Sequence, residues 1–271
     1  MDFENKTVVI TGGATGIGRD TARAFLECGA NVVLNGRREM KLQEAITQLD
    51  TTCKHVAYLA GDISKPETSR QLIRTAVQRF GGVDILVNNA GIFKPTPFLE
   101  HTEEDYNAYV NIILGGTFHT SQAVIPEMQK RGGGVIVNIG SMWASQAIGA
   151  TPSSAYSAAK AGVHALTRNL AIEFAHDRIR VNAVAPAVVE TPVYNTFMSA
   201  EEINEILPTF RALHPLGRNG QPQDVSSAIL FLASEQAAWI TGVVLPVDGG
   251  VMAGRHTPAN NREQVTSAVA H

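Results

Sequence analysis

Tyr156 and Lys160 lie four residues apart, in the run Tyr156-Ser157-Ala158-Ala159-Lys160. Residues at this spacing share one face of a helix, so the phenol and the ammonium group point the same way. A nearby cation stabilises a phenolate and lowers the pKa of the tyrosine from its usual value of about 10. A tyrosine altered in this way can act as a general acid or base near neutral pH. Taken alone, this spacing is common by chance and is more typical of a solvated helix face. Together with Ser141 and the glycine-rich segment described below, the pair predicts proton transfer by Tyr156.

Two further polar residues are candidates for the same reaction. Ser141 ends an apolar, strand-like run, and its hydroxyl can donate to a substrate oxygen that gains charge. The alternative for Ser141 is an ordinary turn serine. Asn111 falls inside a segment with a helical pattern, 102–130, where asparagine is mildly unfavourable. We expect Asn111 to bind a water molecule that feeds a proton relay, and the alternative is a residue without a catalytic part.

A glycine-rich segment, Thr11-Gly12-Gly13-Ala14-Thr15-Gly16-Ile17-Gly18, directly follows the first apolar run. A strand, a glycine turn and a helix in this order direct backbone N–H groups and the helix dipole at a pyrophosphate. Gly12 permits the tight turn, Gly16 lets the cofactor approach, and Gly18 lets helix and strand pack closely. The segment predicts a dinucleotide site, and we expect Thr15 and Ile17 to contribute to it.

Other cofactor contacts are predicted at the carboxyl ends of later strands, where a doubly wound sheet binds its ligand. Asp62 either holds an adenine amino group or caps a helix. Asn88 and Asn89 either contact the ligand or tie neighbouring strands together, and Gly91 leaves room for the nicotinamide ribose. The candidates beyond the glycine turn are Arg37, Asp62, Ile63, Asn89, Ala90, Gly91, Tyr156, Lys160, Pro186, Val189 and Thr191.

The second predicted strand ends in Leu34-Asn35-Gly36-Arg37-Arg38, which bears on the choice of cofactor. A chain that prefers NAD carries an acid here, and the acid accepts a hydrogen bond from the ribose 2′-hydroxyl. Gly36 stands in that place, so no carboxylate repels a 2′-phosphate, and the Arg37 guanidinium can bind phosphate oxygens bidentately. The sequence predicts NADP(H), with NAD(H) possible; Arg38 either assists or caps the next helix.

Two kinds of segment alternate along the chain and must position these residues. Short β-branched runs bounded by Gly, Asn, Asp or Pro predict strands buried on both faces, at 7–11, 31–35, 55–60, 84–89, 134–140, 179–185 and 243–248. Helical periodicity fills the gaps, notably at 66–80, 162–174 and 222–232. The alternation predicts an α/β fold, a Rossmann-type doubly wound sheet of seven parallel strands with helices on both faces.

No linker or repeat divides the chain, so we expect one dinucleotide-binding and catalytic domain over residues 1–254. The proline-rich segment 186–221 follows a strand's carboxyl end, where substrate lids lie. It contains two short helical candidates. Residues 255–271 are polar and patternless and are predicted to form a flexible tail.

Composition excludes several classes of protein. The 271 residues are 44% hydrophobic with a net charge of −3, and no basic stripe indicates a nucleic-acid partner. No apolar run approaches the ~20 residues of a membrane helix. The histidines are scattered outside any metal-binding motif, and the two cysteines, Cys28 and Cys53, are expected to stay unpaired. Without a basic leader at the N-terminus, the chain is predicted to be cytoplasmic.

Taken together, these motifs resemble the short-chain dehydrogenase/reductase family over roughly residues 6–253, including the segments 215–218 and 247–250. The resemblance implies an NAD(P)(H)-dependent oxidoreductase that transfers a hydride between nicotinamide and a ketone or secondary alcohol. It also implies a role for each candidate. Tyr156 is the acid/base, Lys160 lowers its pKa and bonds the nicotinamide ribose, Ser141 orients the carbonyl, and Asn111 supports the water relay.

The chain departs from the family pattern in two places. Pro186-Ala187 stands where the family usually has Pro-Gly, and the segment between Ser141 and Tyr156 is longer than is common. The extra residues fall in 147–154 and are expected to reshape the wall of the pocket.

Two other functions stay open. A 3-oxoacyl-carrier-protein reductase would need a basic docking patch near the cleft, and a non-catalytic dinucleotide sensor would not need the catalytic set.

The substrate is expected to carry an apolar group beside its carbonyl. The reason is a set of apolar residues after Ser141 and in the expected lid: Met142, Trp143, Val193, Phe197 and Met198. The alternative for Trp143 is packing in the core.

The resemblance also implies a homotetramer, paired through the helices at 102–130 and 154–176 with contacts from the C-terminal strand. Ile112, Ile113 and Phe118 support this expectation, because the helical pattern predicts that they are exposed on more than one face of the first helix.

Overall fold

The computed structural model describes residues 1–254, so the predicted tail at 255–271 lies outside the described residues. The chain forms a sheet of seven parallel strands in the order β3-β2-β1-β4-β5-β6-β7. The direction of strand succession reverses between β1 and β4, which is where such sheets bind ligands. The predicted α/β fold is confirmed.

Every predicted strand is present, and each end lies within one residue of its expected position. The strands are β1 (Thr7–Thr11), β2 (Asn31–Gly36), β3 (Val56–Ala60), β4 (Ile85–Asn88), β5 (Gly134–Ile139), β6 (Ile179–Pro186) and β7 (Val244–Val247). Strands β1, β2, β4 and β6 are buried almost throughout. This burial explains why their sequences are continuous apolar runs rather than alternating ones.

Helices cover both faces of the sheet. They are α1 (Gly16–Glu27), α2 (Glu39–Leu49), α3 (Pro66–Phe80), α4 (Glu103–Tyr109), α5 (Gly116–Lys130), α6 (Ser154–Glu173), α7 (Ala200–Ile206) and α8 (Pro222–Ala233). The helix predicted at 162–174 begins eight residues earlier, at Ser154. Tyr156 and Lys160 therefore lie in its first two turns, as their spacing requires.

The single helix predicted at 102–130 is interrupted. A π-helical segment, Val110–Gly115, joins α4 to α5. Its wider turns change which residues face inward. Ile113 is fully buried, so its predicted exposure is wrong, and Ile112 is half-buried, whereas Phe118 is 45% exposed.

Two apolar layers hold the sheet between its helices. On one face, Phe25 of α1 and Val225 and Ile229 of α8 pack against β1, β2 and β4. On the other face, Leu72 of α3 and Met128 of α5 pack against the opposite sides of the same strands. Their burial provides much of the driving force for folding and fixes the carboxyl ends of the strands in space.

The two ends of the segment 186–221 lie next to each other. It contains helical turns at Pro192–Thr196 and Leu207–Leu213, with α7 between them. Gly220 N–H donates to Val188 O and Glu190 N–H donates to Gly220 O, each at 2.9 Å. These two bonds close the segment into a loop beside the carboxyl end of β6. The predicted short helices are present.

Candidate active site

A cleft of about 460 Å³ opens at the carboxyl ends of the strands. Two of the predicted site residues do not line this cleft, and they are Gly18 and Asn111. All the others do, and they are Gly12, Thr15, Gly16, Ile17, Arg37, Asp62, Ile63, Asn89, Ala90, Gly91, Ser141, Tyr156, Lys160, Pro186, Val189 and Thr191. The fold therefore brings together residues that are far apart in the sequence.

The glycine turn leads from β1 into the N-terminus of α1. Gly12 and Gly16 have φ values of 64° and 55°, a region that residues with a Cβ rarely adopt. A Cβ on Gly18 would overlap the Gly12 carbonyl oxygen and the Asn89 side chain. Gly18 therefore allows the close helix–strand packing expected of it. The turn leaves backbone and the start of α1 open to the cleft, which suits a diphosphate.

Asparagine side chains brace the neighbouring strand ends. Asn89 Nδ2 donates to the carbonyl oxygens of Thr11 and Gly12, both at 3.0 Å, and Asn89 also lines the cleft. Asn88 Nδ2 donates to Ser121 Oγ at 3.1 Å and to Asn138 Oδ1 at 2.9 Å, away from the cleft. The structural interpretation therefore holds for Asn88, whereas Asn89 is placed for both roles.

Asp62 and Asn35 line the cleft at the ends of β2 and β3. Asp62 Oδ1 accepts from Ser64 N–H at 3.0 Å, and the side chain also lines the cleft. The helix-cap interpretation is wrong, because α3 begins at Pro66 with Lys65 at its N-cap and no side-chain cap bond. The contact with adenine stays a prediction. Asn35, which was not predicted from the sequence, donates to the carbonyl oxygens of Leu59 and Gly61 at 3.1 and 3.2 Å. A polar residue within the apolar run of β2 was the available signal.

Three cations, Arg37, Arg38 and Lys41, line the cleft at the end of β2. Lys41 pairs with Glu44 at 2.7 Å. Among the residues that line the cleft, Asp62 is the one carboxylate. This end of the cleft is therefore cationic, as the sequence predicted from Gly36 and Arg37.

Tyr156 and Lys160 share one face of α6, with the Lys160 ammonium 5.8 Å from the centre of the phenol ring. Lys160 is buried and donates to the carbonyl oxygen of Ile139. Burial lowers the pKa of Lys160 to about 8. Burial also raises the pKa of Tyr156 to about 12, against a smaller lowering by Ser141. The predicted lowering of the Tyr156 pKa is therefore wrong for this structure, because desolvation dominates.

Asn111 requires a correction. The structure places it in the π-helical segment with its side chain exposed and outside the cleft. The residue that faces inward beside Lys160 is Ile113. A Cβ built on Gly91 would lie 3.9 Å from both Ile113 Cγ1 and Lys160 Nζ. An apolar side chain there cannot hold the relay water that the sequence pattern assigned to Asn111.

Ser141 is held by two hydrogen bonds. Its backbone N–H donates to His164 Nε2 at 3.3 Å, and its Oγ accepts from Trp143 N–H at 3.2 Å. Because Oγ accepts that bond, its own hydrogen can still donate into the cleft. Burial, followed by the charges of Lys160 and Arg168, lowers the pKa of His164 to about 4. Sequence reasoning missed His164, although it lies four residues after Lys160.

Aromatic rings form the wall of the cleft around Tyr156. Phe93, which was not predicted from the sequence, lies 5.0 Å from Tyr156, 6.1 Å from Trp143 and 6.0 Å from Phe197, measured between ring centres. Phe197 in turn lies 6.1 Å from Tyr194, another missed residue that lines the cleft. Phe93 therefore packs between Tyr156 and Trp143 on one side and Phe197 of the segment 186–221 on the other.

The predicted apolar lining is correct only in part. Trp143 and Val193 line the cleft, whereas Met142, which is buried, Phe197 and Met198 lie outside the lining. Trp143 Nε1 donates to Thr151 Oγ1 at 3.0 Å. Thr151 belongs to the longer segment before Tyr156, so that segment contacts the cleft wall through Trp143, although none of residues 147–154 lines the cleft. The expected reshaping of the wall stays a prediction.

The described part of the chain, residues 1–254, contains no cluster of three or more His, Cys, Asp or Glu side chains suited to a metal ion. None of the helices in that part is both long and apolar enough to cross a membrane. Cys28 and Cys53 are free thiols.

The comparison with known proteins agrees with the fold. A family model described as enoyl-(acyl carrier protein) reductase matches residues 12–252. The chain belongs to the short-chain dehydrogenase/reductase family. It is accordingly an oxidoreductase of the class that acts on CH–OH and C=O groups with a nicotinamide cofactor.

Individual relatives match over most of their length. The chain is 36% identical to the 3-oxoacyl-(acyl-carrier-protein) reductase FabG of Thermotoga maritima, covering 93% of this chain and 100% of the relative. It is 38% identical to a 3alpha-hydroxysteroid dehydrogenase of Mediterraneibacter gnavus, covering 92% and 98%. Among solved structures, gox2181 matches with a TM-score of 0.87 at 35% identity, covering 93% of this chain and 98% of the other.

Proposed function

We propose that the protein reduces a ketone to a secondary alcohol, or oxidises the alcohol, with Tyr156 as the proton donor or acceptor. One observation carries the proposal. Ser141, Tyr156 and Lys160 face a single cleft that also contains the glycine turn. A proton donor, a hydroxyl that can bind an oxyanion and a dinucleotide cradle are the parts that carbonyl reduction needs.

Each residue has a defined task in this reaction. When bound, the dinucleotide supplies or accepts the hydride. Gly12, Gly16 and the start of α1 hold its diphosphate. The Tyr156 hydroxyl gives its proton to the carbonyl oxygen, and Ser141 Oγ donates a hydrogen bond to the same oxygen. With its pKa raised to about 12, Tyr156 is protonated at neutral pH, which is the form that reduction requires.

The buried Lys160 charge lies beside the phenol and opposes the cost of forming phenolate during the proton transfer. This electrostatic role needs no direct contact between the two groups. We also assign to Lys160 a hydrogen bond to the nicotinamide ribose, because its single described acceptor, Ile139 O, leaves donor capacity at Nζ.

We propose NADP(H) as the preferred cofactor. Arg37 and Arg38 line the cleft at the end of β2, together with Lys41, and the acid that would bind an unphosphorylated ribose is replaced by Gly36. A 2′-phosphate carries charge that guanidinium groups bind bidentately. The adenosine end of this cleft is therefore suited to the phosphorylated dinucleotide.

The aromatic wall supports a substrate with a bulky apolar group beside its carbonyl. Phe93, Trp143 and Tyr194 surround the approach to Tyr156, and such surfaces select ligands by apolar area. The main alternative is a 3-oxoacyl-carrier-protein reductase, which the similarity to FabG favours. The cations that line the cleft beyond Lys160, however, lie at its adenosine end rather than beside the aromatic wall.

A homotetramer is proposed as the assembly, with α4, α5 and α6 as the pairing helices. Tyr106 of α4, Phe118 of α5 and Ile172 of α6 are exposed apolar or aromatic side chains on these helices. Burial of such residues is a common driving force for association. Light scattering at micromolar concentration should give four times the chain mass, and a monomer mass would refute the proposal.

Consumption of NADPH with a panel of ketones tests the proposed activity. The panel should contain small aliphatic, bulky alicyclic and aryl ketones, together with a 3-oxoacyl group on a carrier protein and on a short thioester. Turnover of bulky ketones is expected. A strong preference for the carrier-bound substrate would instead establish the reductase alternative. Tight dinucleotide binding without any turnover would support a sensor.

A further inference from the structure

His164 lies behind the catalytic serine, on the same helix face as Tyr156 and Lys160. It is 5% exposed, and its Nε2 accepts the Ser141 backbone N–H at 3.3 Å. Gly140, the residue before Ser141, has no Cβ, and a Cβ built there would overlap the His164 ring. The imidazole therefore occupies space that is free only because Gly140, directly after β5, has no side chain.

We infer that His164 is a positioning residue, which orients Ser141 toward the substrate carbonyl by accepting its backbone N–H. The inference rests on the proposed function, because it assumes that Ser141 Oγ donates to the substrate. The Ser141 N–H lies beyond the end of β5 and on the β4 side, because alternate N–H groups of a strand point to opposite neighbours and Gly140 N–H donates to Val184 O of β6 at 2.8 Å. Since β4 ends at Asn88, level with Asn138, no strand continues beside Ser141 to offer it a carbonyl partner. A side-chain acceptor is needed there.

The bond requires a neutral imidazole, because a protonated ring has donors on both nitrogens. Burial, Lys160 and Arg168 all lower the pKa of His164, to about 4, so the ring accepts at neutral pH. With its N–H held and its Oγ accepting from Trp143, Ser141 keeps one hydroxyl hydrogen for the substrate. His164 thus acts through Ser141 and contacts no reacting atom.

A double-mutant cycle in kcat tests this inference. His164→Leu removes the acceptor and should lower kcat about tenfold, the size expected for one lost positioning hydrogen bond. In a Ser141→Ala background the same change should cost less than about twofold, because the group that it positions is gone. The NADPH dissociation constant should change less than about twofold in either background.

His164→Gln provides the rescue, since its amide oxygen can take the place of Nε2, and should recover kcat to within about threefold of wild type. Leu170→Ala, on the same helix but packed in the apolar layer with Met128, provides the control for lost stability. Equal losses in both backgrounds, an equal loss in the Leu170 variant, or no loss in His164→Leu would overturn the inference.

Hydrogen exchange separates this inference from the proposed function. The backbone amide of Ser141 should exchange faster in His164→Leu than in wild type and His164→Gln. If the wild-type protein turns over none of the ketones, the proposed function fails. The amide exchange then still decides whether His164 holds Ser141, and equal exchange in all three proteins would contradict the inference.

Discussion

The two ends of the cleft are built in different ways. At the nucleotide end, backbone and short polar side chains of adjacent strands form the surface, with Asn89 bonded to the carbonyl oxygens of Thr11 and Gly12. At the substrate end, the surface consists of large rings from separate segments, with Phe93 packed near both Trp143 and Phe197. The shape of the first end is therefore determined by the backbone, and the shape of the second end by packed side chains.

This difference teaches where each property of the protein resides. On the proposed function, the backbone at the glycine turn would bind either dinucleotide, and the charges of Arg37 and Arg38 would select between the two cofactors. The aromatic rings would select the substrate by its shape. Changes at the nucleotide end should therefore alter cofactor constants alone, and changes at the aromatic wall should alter substrate ranking alone.

Tyr156→Phe should produce the largest effect and should affect neither binding end. Loss of general acid catalysis typically costs ~10²–10⁴-fold, so kcat should fall by that factor. The NADPH dissociation constant, measured by fluorescence titration, should stay within about twofold of wild type. Tyr109→Phe is the matched control, because it removes the same atom from a ring 6.2 Å away and should leave most of the activity. Near wild-type turnover in the Tyr156→Phe variant would refute the assignment.

Arg37→Asp should remove the preference for NADPH over NADH. Charge-assisted hydrogen bonds contribute ~1.5–3 kcal/mol, which corresponds to roughly tenfold to a hundredfold in affinity. The value of kcat/KM for NADPH should fall by about that factor while the value for NADH stays constant or rises. Lys54→Asp, with the same charge change near the amino end of β3, should alter neither. A wild type that prefers NADH would contradict the account.

Phe93→Ala should change the substrate ranking. Apolar pocket contacts discriminate by about tenfold for small changes in size. The ratio of kcat/KM for bulky over small ketones should therefore change by about that factor, with the KM for NADPH constant. Trp143→Ala should change the same ratio. If neither variant alters the ranking, the rings serve only as core packing.

Asn111→Ala should have the smallest effect. Its side chain is exposed and outside the cleft, so we expect kcat to stay close to the wild-type value. Ile113→Ala should cost more, because it opens a cavity beside Lys160 and Gly91. A loss of about tenfold or more in the Asn111 variant, at an unchanged Tm, would restore the relay that the structure argues against.

The contrast between the two ends also explains what the sequence could predict. The glycine turn and the strand ends have local patterns, because backbone geometry restricts which residues can stand there. Phe93 and His164 have no such pattern, since their roles depend on contacts across the fold. Asn111 was misassigned because an uninterrupted helix was assumed, and the π-helical segment at 110–115 changes which side chains face inward.

The central claim is that this cleft transfers a hydride from NADPH to a carbonyl carbon. The most direct test uses NADPH in which both hydrogens on C4 of the nicotinamide ring are replaced by deuterium, with a bulky ketone and mass spectrometry of the alcohol. The account predicts one deuterium on the former carbonyl carbon for each cofactor oxidised. The Tyr156→Phe variant should form deuterated alcohol only at its low residual rate of turnover. Cofactor oxidation without deuterium in the alcohol, or binding without oxidation, would contradict it.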